Sequence, residues 1–184
     1  MPRLIAFLRA INVGGHVVTM EKLRGIFDAL GYSGVETFIA SGNVIFSSRA
    51  RDPGALEPRI ERRLQQILGY EVRTFLRTGA EVAAVAGHKA FEDRQLRSAK
   101  SLNVGFLHRP LGATGVKAVM ALRTEIDDFH VHGREIYWLC LKHQGESKVS
   151  GAVFEKALKI PVTFRGMNTI NRLVGRYELS PAGS

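Results

Sequence analysis

One order of apolar patterns, written twice, limits what this chain can fold into more than any other feature. Residues 4–8 form a short buried-strand run that passes through Asn12-Val13-Gly14-Gly15-His16. Met20, Leu23, Ile26, Phe27 and Leu30 then fall at helical spacing, with Thr19 as N-cap and Gly31 as the stop. Residues 35–40 and 44–48 predict two strands joined by Ser41-Gly42-Asn43. Leu56, Ile60, Leu64, Ile67 and Leu68 line one helix face, opposite Arg59, Arg62 and Arg63. A fourth strand spans 72–76, and Thr78-Gly79-Ala80-Glu81 has the spacing of a capping box opening a further helix through Val85. The order then recurs: a strand at 102–107, a helix at 116–122, and a hairpin of 129–132 with 135–141 about Gly133-Arg134. A helix at 147–158, a strand at 161–164 and a closing helix at 168–176 complete it. Identity between the halves is negligible, so the duplication is one of pattern.

A β-α-β-β-α-β unit of this length is the ferredoxin-like, split βαβ arrangement. Right-handed crossovers make its first two strands parallel and place the third antiparallel between them. The expected fold class is therefore α/β of the α+β type, two ferredoxin-like units each followed by an extra helix. The units are expected at residues 1–90 and 98–184, with the polar stretch 88–100 as the junction. This topology brings the loop after the first strand to the same sheet edge as the turn between the second and third. In the first unit that joins residues 12–16 to Ser41-Gly42-Asn43, and in the second it joins 108–115 to Gly133-Arg134. The fourth strands run the other way, which puts Arg77 and Arg165 at the far edges of their sheets.

Charge decides which ligands suit such a chain. Its 184 residues carry 26 Lys and Arg against 17 Asp and Glu, a formal net charge of +9. That excess favours anionic partners: a small phosphorylated molecule, a nucleotide or a nucleic acid. The arginines are scattered, and no block of like charge marks a nucleic-acid-binding tail. No apolar run reaches the length of a membrane span, and residues 4–8 are too short for a signal-peptide core. The expectation is a soluble, cytoplasmic protein with no membrane partner; its oligomeric state is left open. The single cysteine, Cys140, excludes an internal disulfide and any multi-cysteine metal site. It lies in an apolar strand and reads as a buried structural thiol.

The polar positions converge on one type of chemistry. Glycines at 14 and 15 let backbone amides turn toward a ligand, and a following helix adds positive potential. Arg9 at the strand end supplies a bidentate clamp for a phosphate or carboxylate. Asn12, Ser41 and Asn43 add hydrogen bonds from the same edge. Ser147 reads as a helix cap with Lys148 beside it as an anion contact, and Arg165, Asn168 and Thr169 sit between the last strand and last helix. The ligand-binding set is thus Arg9, Asn12, Gly14, Gly15, Ser41, Asn43, Lys148, Arg165, Asn168 and Thr169. The same glycines and asparagines equally make plain turns and caps. No phosphate-loop or dinucleotide fingerprint occurs, nor any order of catalytic triad or zinc-protease residues. His130 and His132 share a strand face with Glu135 and Tyr137 across from them, but spacing fixes no third ligand, so neither metal nor cofactor is expected. Phe7 and Phe46 fall on the first and third strands, where RNA-recognition domains stack bases, without that module's basic-glycine-aromatic signature. The leading reading is a binding protein for a small anionic ligand at the glycine-loop edge. The alternatives are an enzyme of unassigned class with a site between the units, or an oligomeric scaffold.

Phe7-Leu8-Arg9-Ala10-Ile11-Asn12-Val13-Gly14-Gly15, the downstream Met20 and Leu23, and Ser41-Gly42-Asn43-Val44-Ile45-Phe46 resemble a known family. So do His132-Gly133-Arg134-Glu135-Ile136-Tyr137, Ser147-Lys148, Phe154-Glu155-Lys156 and the stretch 163–169. Together they are similar to the bacterial domain-of-unknown-function family 1697. The family's closing pattern reads approximately Thr-x-Arg-Asn-Trp-Asn-Thr, and here Gly166 and Met167 replace its Asn and Trp. The resemblance implies two ferredoxin-like units in a cytoplasmic protein and brings no assigned activity.

Overall fold

The twice-written pattern becomes two four-stranded sheets in the computed structural model, which describes residues 1–39, 42–50 and 52–183. The first half runs β1 (Arg3–Arg9), α1 (Met20–Ala29), β2 (Ser33–Thr37), β3 (Asn43–Ser47), α2 (Leu56–Leu68), β4 (Arg73–Thr78) and α3 (Gly79–Gly87). After α4 (Asp93–Ser98) come β5 (Ser101–Phe106), α5 (Ala113–Met120), β6 (Asp127–His132), β7 (Glu135–Cys140), α6 (Gly151–Leu158), β8 (Thr163–Gly166) and α7 (Met167–Tyr177). Strand orders are β2-β3-β1-β4 and β6-β7-β5-β8, with all neighbours antiparallel. This is the order that right-handed crossovers require of the pattern. By contact density the chain divides into a first unit, Met1–Ala84 with Leu173–Ser184, and a second, Val85–Arg172.

In the first unit alternate residues of β1, Leu4, Ala6 and Leu8, join Val44, Phe46 and Leu76 beneath α1 and α2. Leu23, Ile26 and Phe27 from α1 and Ile60 and Leu64 from α2 complete that core. Tyr32 stacks on Phe46 with ring centroids 4.5 Å apart. α1 begins where Thr19 accepts a hydrogen bond from the Lys22 amide, and α2 ends at Gly69, whose φ of +83° favours glycine. In the second unit Trp138 is fully buried among Phe129, Phe154 and Phe164, with Val119 and Ile136 closing the cluster. Burial of each such side chain contributes about 1.5–3 kcal/mol.

Three of the departures from the sequence expectation are instructive. β2 starts at Ser33 and slips register between Ser33 and Glu36, around Gly34 at φ +60°; it ends at Thr37, two residues before Ile39, whose φ of +60° leaves the extended region. The polar stretch 88–100 holds a helix, α4, whose first turn is closed by Gln95 accepting from the Glu92 amide. α6 starts four residues later than the apolar spacing implies. Its cap is Ser150, which accepts from the Val153 amide, while Ser147 is engaged elsewhere.

The pairings place the two sheets in one-to-one correspondence. Leu4 lies opposite Thr78 and Phe46, and Asn103 lies opposite Gly166 and Trp138. Ile5 pairs with Arg77, and Val104 pairs with Arg165. Glu36 faces Ile45, and His130 faces Tyr137.

Candidate functional site

Gly42 and Asn43 seat against the end of β1 and Ile11, where the glycine loop begins. Phe7 pairs with Asn43, and the Leu8 amide donates to the Gly42 carbonyl at 2.8 Å. Gly42 has φ +79°, and a Cβ there would stand 2.7 Å from Ile11 Cγ2, so only glycine lets the turn seat on β1. Gly14 and Gly15, at φ +62° and +83°, form a tight turn closed by the His16 amide on the Val13 carbonyl. Two consecutive left-handed positions explain the glycine pair without a ligand. The loop is pinned by its own side chains: Asn12 Oδ1 accepts from the Val18 amide, and Tyr70 Oη donates to the Ile11 carbonyl at 2.7 Å. His16 stacks on Tyr70 with centroids 4.0 Å apart. α1 then opens several residues beyond the glycines, so their amides do not extend its N-terminus. Asn43 is buried and donates from Nδ2 to the Phe38 carbonyl. Arg9 ends β1 opposite Arg73, and Ser41 lies outside the described residues.

A polar concavity lies at the start of α7, in the second unit. β8 runs into α7 with no intervening loop, Gly166 being the last strand residue and Met167 the first helical one. A cavity of about 390 Å³ opens there, lined by Lys100, Asn103, Gly166, Met167, Asn168 and Asn171 among others. Asn103 is 7% exposed, and its side-chain nitrogen is buried with no hydrogen-bond partner among the described residues. A buried amide N–H without an acceptor costs about 1–3 kcal/mol, and in a native fold it calls for an explanation. The first amides of α7 have no carbonyl within the helix to bond. Asn168 is the second residue of α7 rather than its cap, and Thr169 is half-buried beside it.

The remaining predicted contacts are placed apart from this cavity. Arg165 is buried on the other face of β8, with Nη1 donating to Thr163 Oγ1 at 2.9 Å and to the Phe164 carbonyl at 2.8 Å. Burial lowers its pKa to about 10, still fully protonated at neutral pH. Lys148 is exposed between Ser147 and α6. Ser147 serves a buried carboxylate instead of a helix: Asp127 accepts from Ser147 Oγ, Thr124 Oγ1 and Trp138 Nε1 at 2.8, 2.6 and 2.7 Å. Burial pushes the Asp127 pKa up, but these hydrogen bonds, with one from Cys140, outweigh it and hold the carboxyl below its ordinary range. Cys140 is buried, and burial raises its thiol, which keeps it protonated. Phe7 and Phe46 are each 0% exposed, so neither offers a ring face to a base.

The histidine pair on β6 gains a partner that spacing did not reveal. His88, just beyond α3, stacks on His132 with centroids 4.0 Å apart, and its Nε2 lies 3.2 Å from His130 Nε2. Burial, then the neighbouring imidazoles, lowers the His88 pKa; burial and His132 do the same for His130, against a smaller upward pull from Asp128. Glu135, expected across the strand, lies opposite His132 but is not part of the imidazole group.

Among the described residues no helix is long and apolar enough to cross a membrane. No curated protein matches the sequence. A solved structure, the conserved bacterial protein SP0830 from Streptococcus pneumoniae, is similar over 97% of this chain and 99% of its own, with a TM-score of 0.75 and 24% identity. That likeness extends the shared fold through β8 and α7. The model of the family described as "Protein of unknown function (DUF1697)" matches residues 1–137, and the chain belongs to that family.

Proposed function

We infer that this protein binds a small anionic ligand, phosphate-bearing or carboxylate, in the cavity at the start of α7. One observation carries the reading: Asn103 lines the cavity, and its buried amide nitrogen has no acceptor among the described residues. A ligand oxygen would satisfy it, with the first amides of α7 and the exposed Lys100 ammonium supplying positive potential. The net charge of +9 favours the same class of ligand over long range. Asn168 and Thr169 belong to this placement, whereas Arg165 supports the strand beneath it. The glycine-loop edge is the second placement, favoured by the meeting of its two turns, although Asn12, Gly14, Gly15 and Asn43 each have a structural use there.

The two placements separate in one experiment. Inorganic phosphate, pyrophosphate, AMP and ATP are titrated at low salt, following the thermal midpoint and the side-chain amide signals by NMR. Ligand at one hundred times its dissociation constant should stabilise the fold by about 2.7 kcal/mol. Lys100→Ala and Asn103→Leu should remove that shift, and Arg9→Ala should leave it in place. Loss in Arg9→Ala with retention in the other two moves the site to the glycine loop. Absence of a shift with all four probes rejects anion binding.

A further inference from the structure

Three imidazoles, drawn from two distant parts of the second unit, converge on one point. His130 and His132 alternate along β6 with Phe129 and Val131, which turn into the aromatic core, so both histidines leave the sheet on its other face. His88 arrives from the segment that follows α3. The end of α3, just before it, is held by Tyr137, whose hydroxyl donates to the Val85 carbonyl at 3.3 Å from the register opposite His130, and the His88 amide donates to the same carbonyl. The His88 ring also packs against Tyr137, at 5.1 Å between centroids, and Phe91 meets His130 edge-on. The three rings are thus positioned by packing on both sides rather than collected by chance on a flexible surface.

Their nitrogens have the spacing of a shared metal ion. One ring nitrogen from each of His88, His130 and His132 lies within 4.8 Å of the other two. Two imidazole nitrogens bound tetrahedrally to zinc at about 2.0–2.1 Å stand roughly 3.3 Å apart. The His88–His130 separation is 3.2 Å. His132 is exposed and stacks face to face on His88, so closing the triangle requires its ring to turn edge-on to the ion. The group contains no carboxylate and no thiolate, which disfavours calcium and magnesium and suits borderline transition ions. Three protein nitrogens leave a fourth tetrahedral position for water or another ligand.

We propose that His88, His130 and His132 bind a divalent transition metal ion, zinc(II) in the first instance, with one coordination position open to solvent. This site is separate from the anion cavity, and neither depends on the other.

The test uses the full chain without a polyhistidine tag. Zinc chloride is titrated calorimetrically, and cobalt(II) reports geometry through its visible absorption. The expected result is one ion per chain with an intense, tetrahedral cobalt spectrum. His88→Gln and His132→Gln should each weaken binding by about 100-fold or more, since even partners behind a ligand are worth 10- to 100-fold. The joint variant His16→Ala, His108→Ala, His143→Ala should bind as the native chain does. If a glutamine variant fails to fold, imidazole ¹⁵N shifts of the native chain on adding zinc read the same three rings directly. Absence of saturable binding, retention of affinity in the glutamine variants, or shifts on other histidines would overturn the assignment.

Discussion

The two units build the same sheet and spend three of its positions differently. On the inner strand, the first unit has Leu4 in its apolar core, while the second has Asn103 with a buried nitrogen that has no partner among the described residues. At the end of the fourth strand, α3 carries its own anion: Glu81 Oε2 accepts from the Thr78 amide at 2.7 Å, and Thr78 Oγ1 accepts from the Glu81 amide in return. The equivalent of Glu81 at the start of α7 is Thr169, which brings no charge. At the edge strand, Glu36 and Phe38 meet Tyr177 through a 3.0 Å hydrogen bond and an edge-to-face contact. The matching registers of the second unit hold His130, His132 and, against them, His88. One copy closes each position with its own side chains; the other leaves a buried donor without an acceptor among the described residues and gathers three imidazoles. Function is therefore best sought in the second unit, even though the more distinctive motif lies in the first.

The largest expected difference between the copies is in their aromatic centres. Phe46 and Trp138 occupy the same register, each among aromatic neighbours. Phe46→Ala and Trp138→Ala should both cost about 3–5 kcal/mol from lost contacts and cavity formation. Trp138→Ala should cost more, because Nε1 also donates to Asp127 and its loss deprives a buried carboxylate of a donor. Trp138 is the only tryptophan, so unfolding in urea is followed by circular dichroism. An equal loss in the two variants would mean that the Asp127 network is energetically idle.

A smaller effect isolates that network by pH. The folded Asp127 pKa is depressed, so its charged form is favoured by folding, and the stabilisation is fully present above the unfolded value of about 3.9. It is lost as pH falls through the folded value. Asp127→Asn should destabilise the protein by about 1–3 kcal/mol at neutral pH, and the gap from the native chain should narrow below about pH 4. A gap independent of pH would show that shape, not charge, joins Thr124, Trp138 and Ser147. The first unit offers no such carboxylate at its matching core position, so the equivalent scan on Phe46→Leu should be flat across this range.

What was legible in the sequence divides along the same line. Strand order followed from the repeated pattern, because apolar periodicity fixes element type and right-handed crossovers then leave one arrangement. The capping box at Thr78 and Glu81 and the stops at Gly31 and Gly69 were equally readable, since each is a local bond between near neighbours. The histidine cluster was half readable. His130 and His132 are local, but His88 joins them through a segment whose path no spacing encodes. Asn103 was invisible, because an asparagine within an apolar strand run looks like any interruption until its hydrogen-bond partners are counted. Ser147 misled for the opposite reason: two serines precede α6, and only the fold shows that Ser150 caps it while Ser147 serves Asp127.

The smallest expected effect is the most discriminating, because it has the unusual sign. Asn103→Leu installs in the second unit the residue that the first unit carries at Leu4. If Asn103 were merely structural, removing a polar residue from this register would disturb the sheet and lower stability. With its nitrogen unpartnered among the described residues, the substitution removes a desolvation cost, and the adjoining cavity of about 390 Å³ leaves room for the larger side chain. Urea unfolding without added anions should therefore show a gain of about 1 kcal/mol. The same variant should lose any stabilisation by phosphate-bearing probes. Stability gained in the absence of ligand and response lost in its presence is the signature of a residue kept for binding. A net loss of stability without ligand would instead place Asn103 among the residues that hold β5 in the sheet, and the copies would then differ there in packing rather than in function.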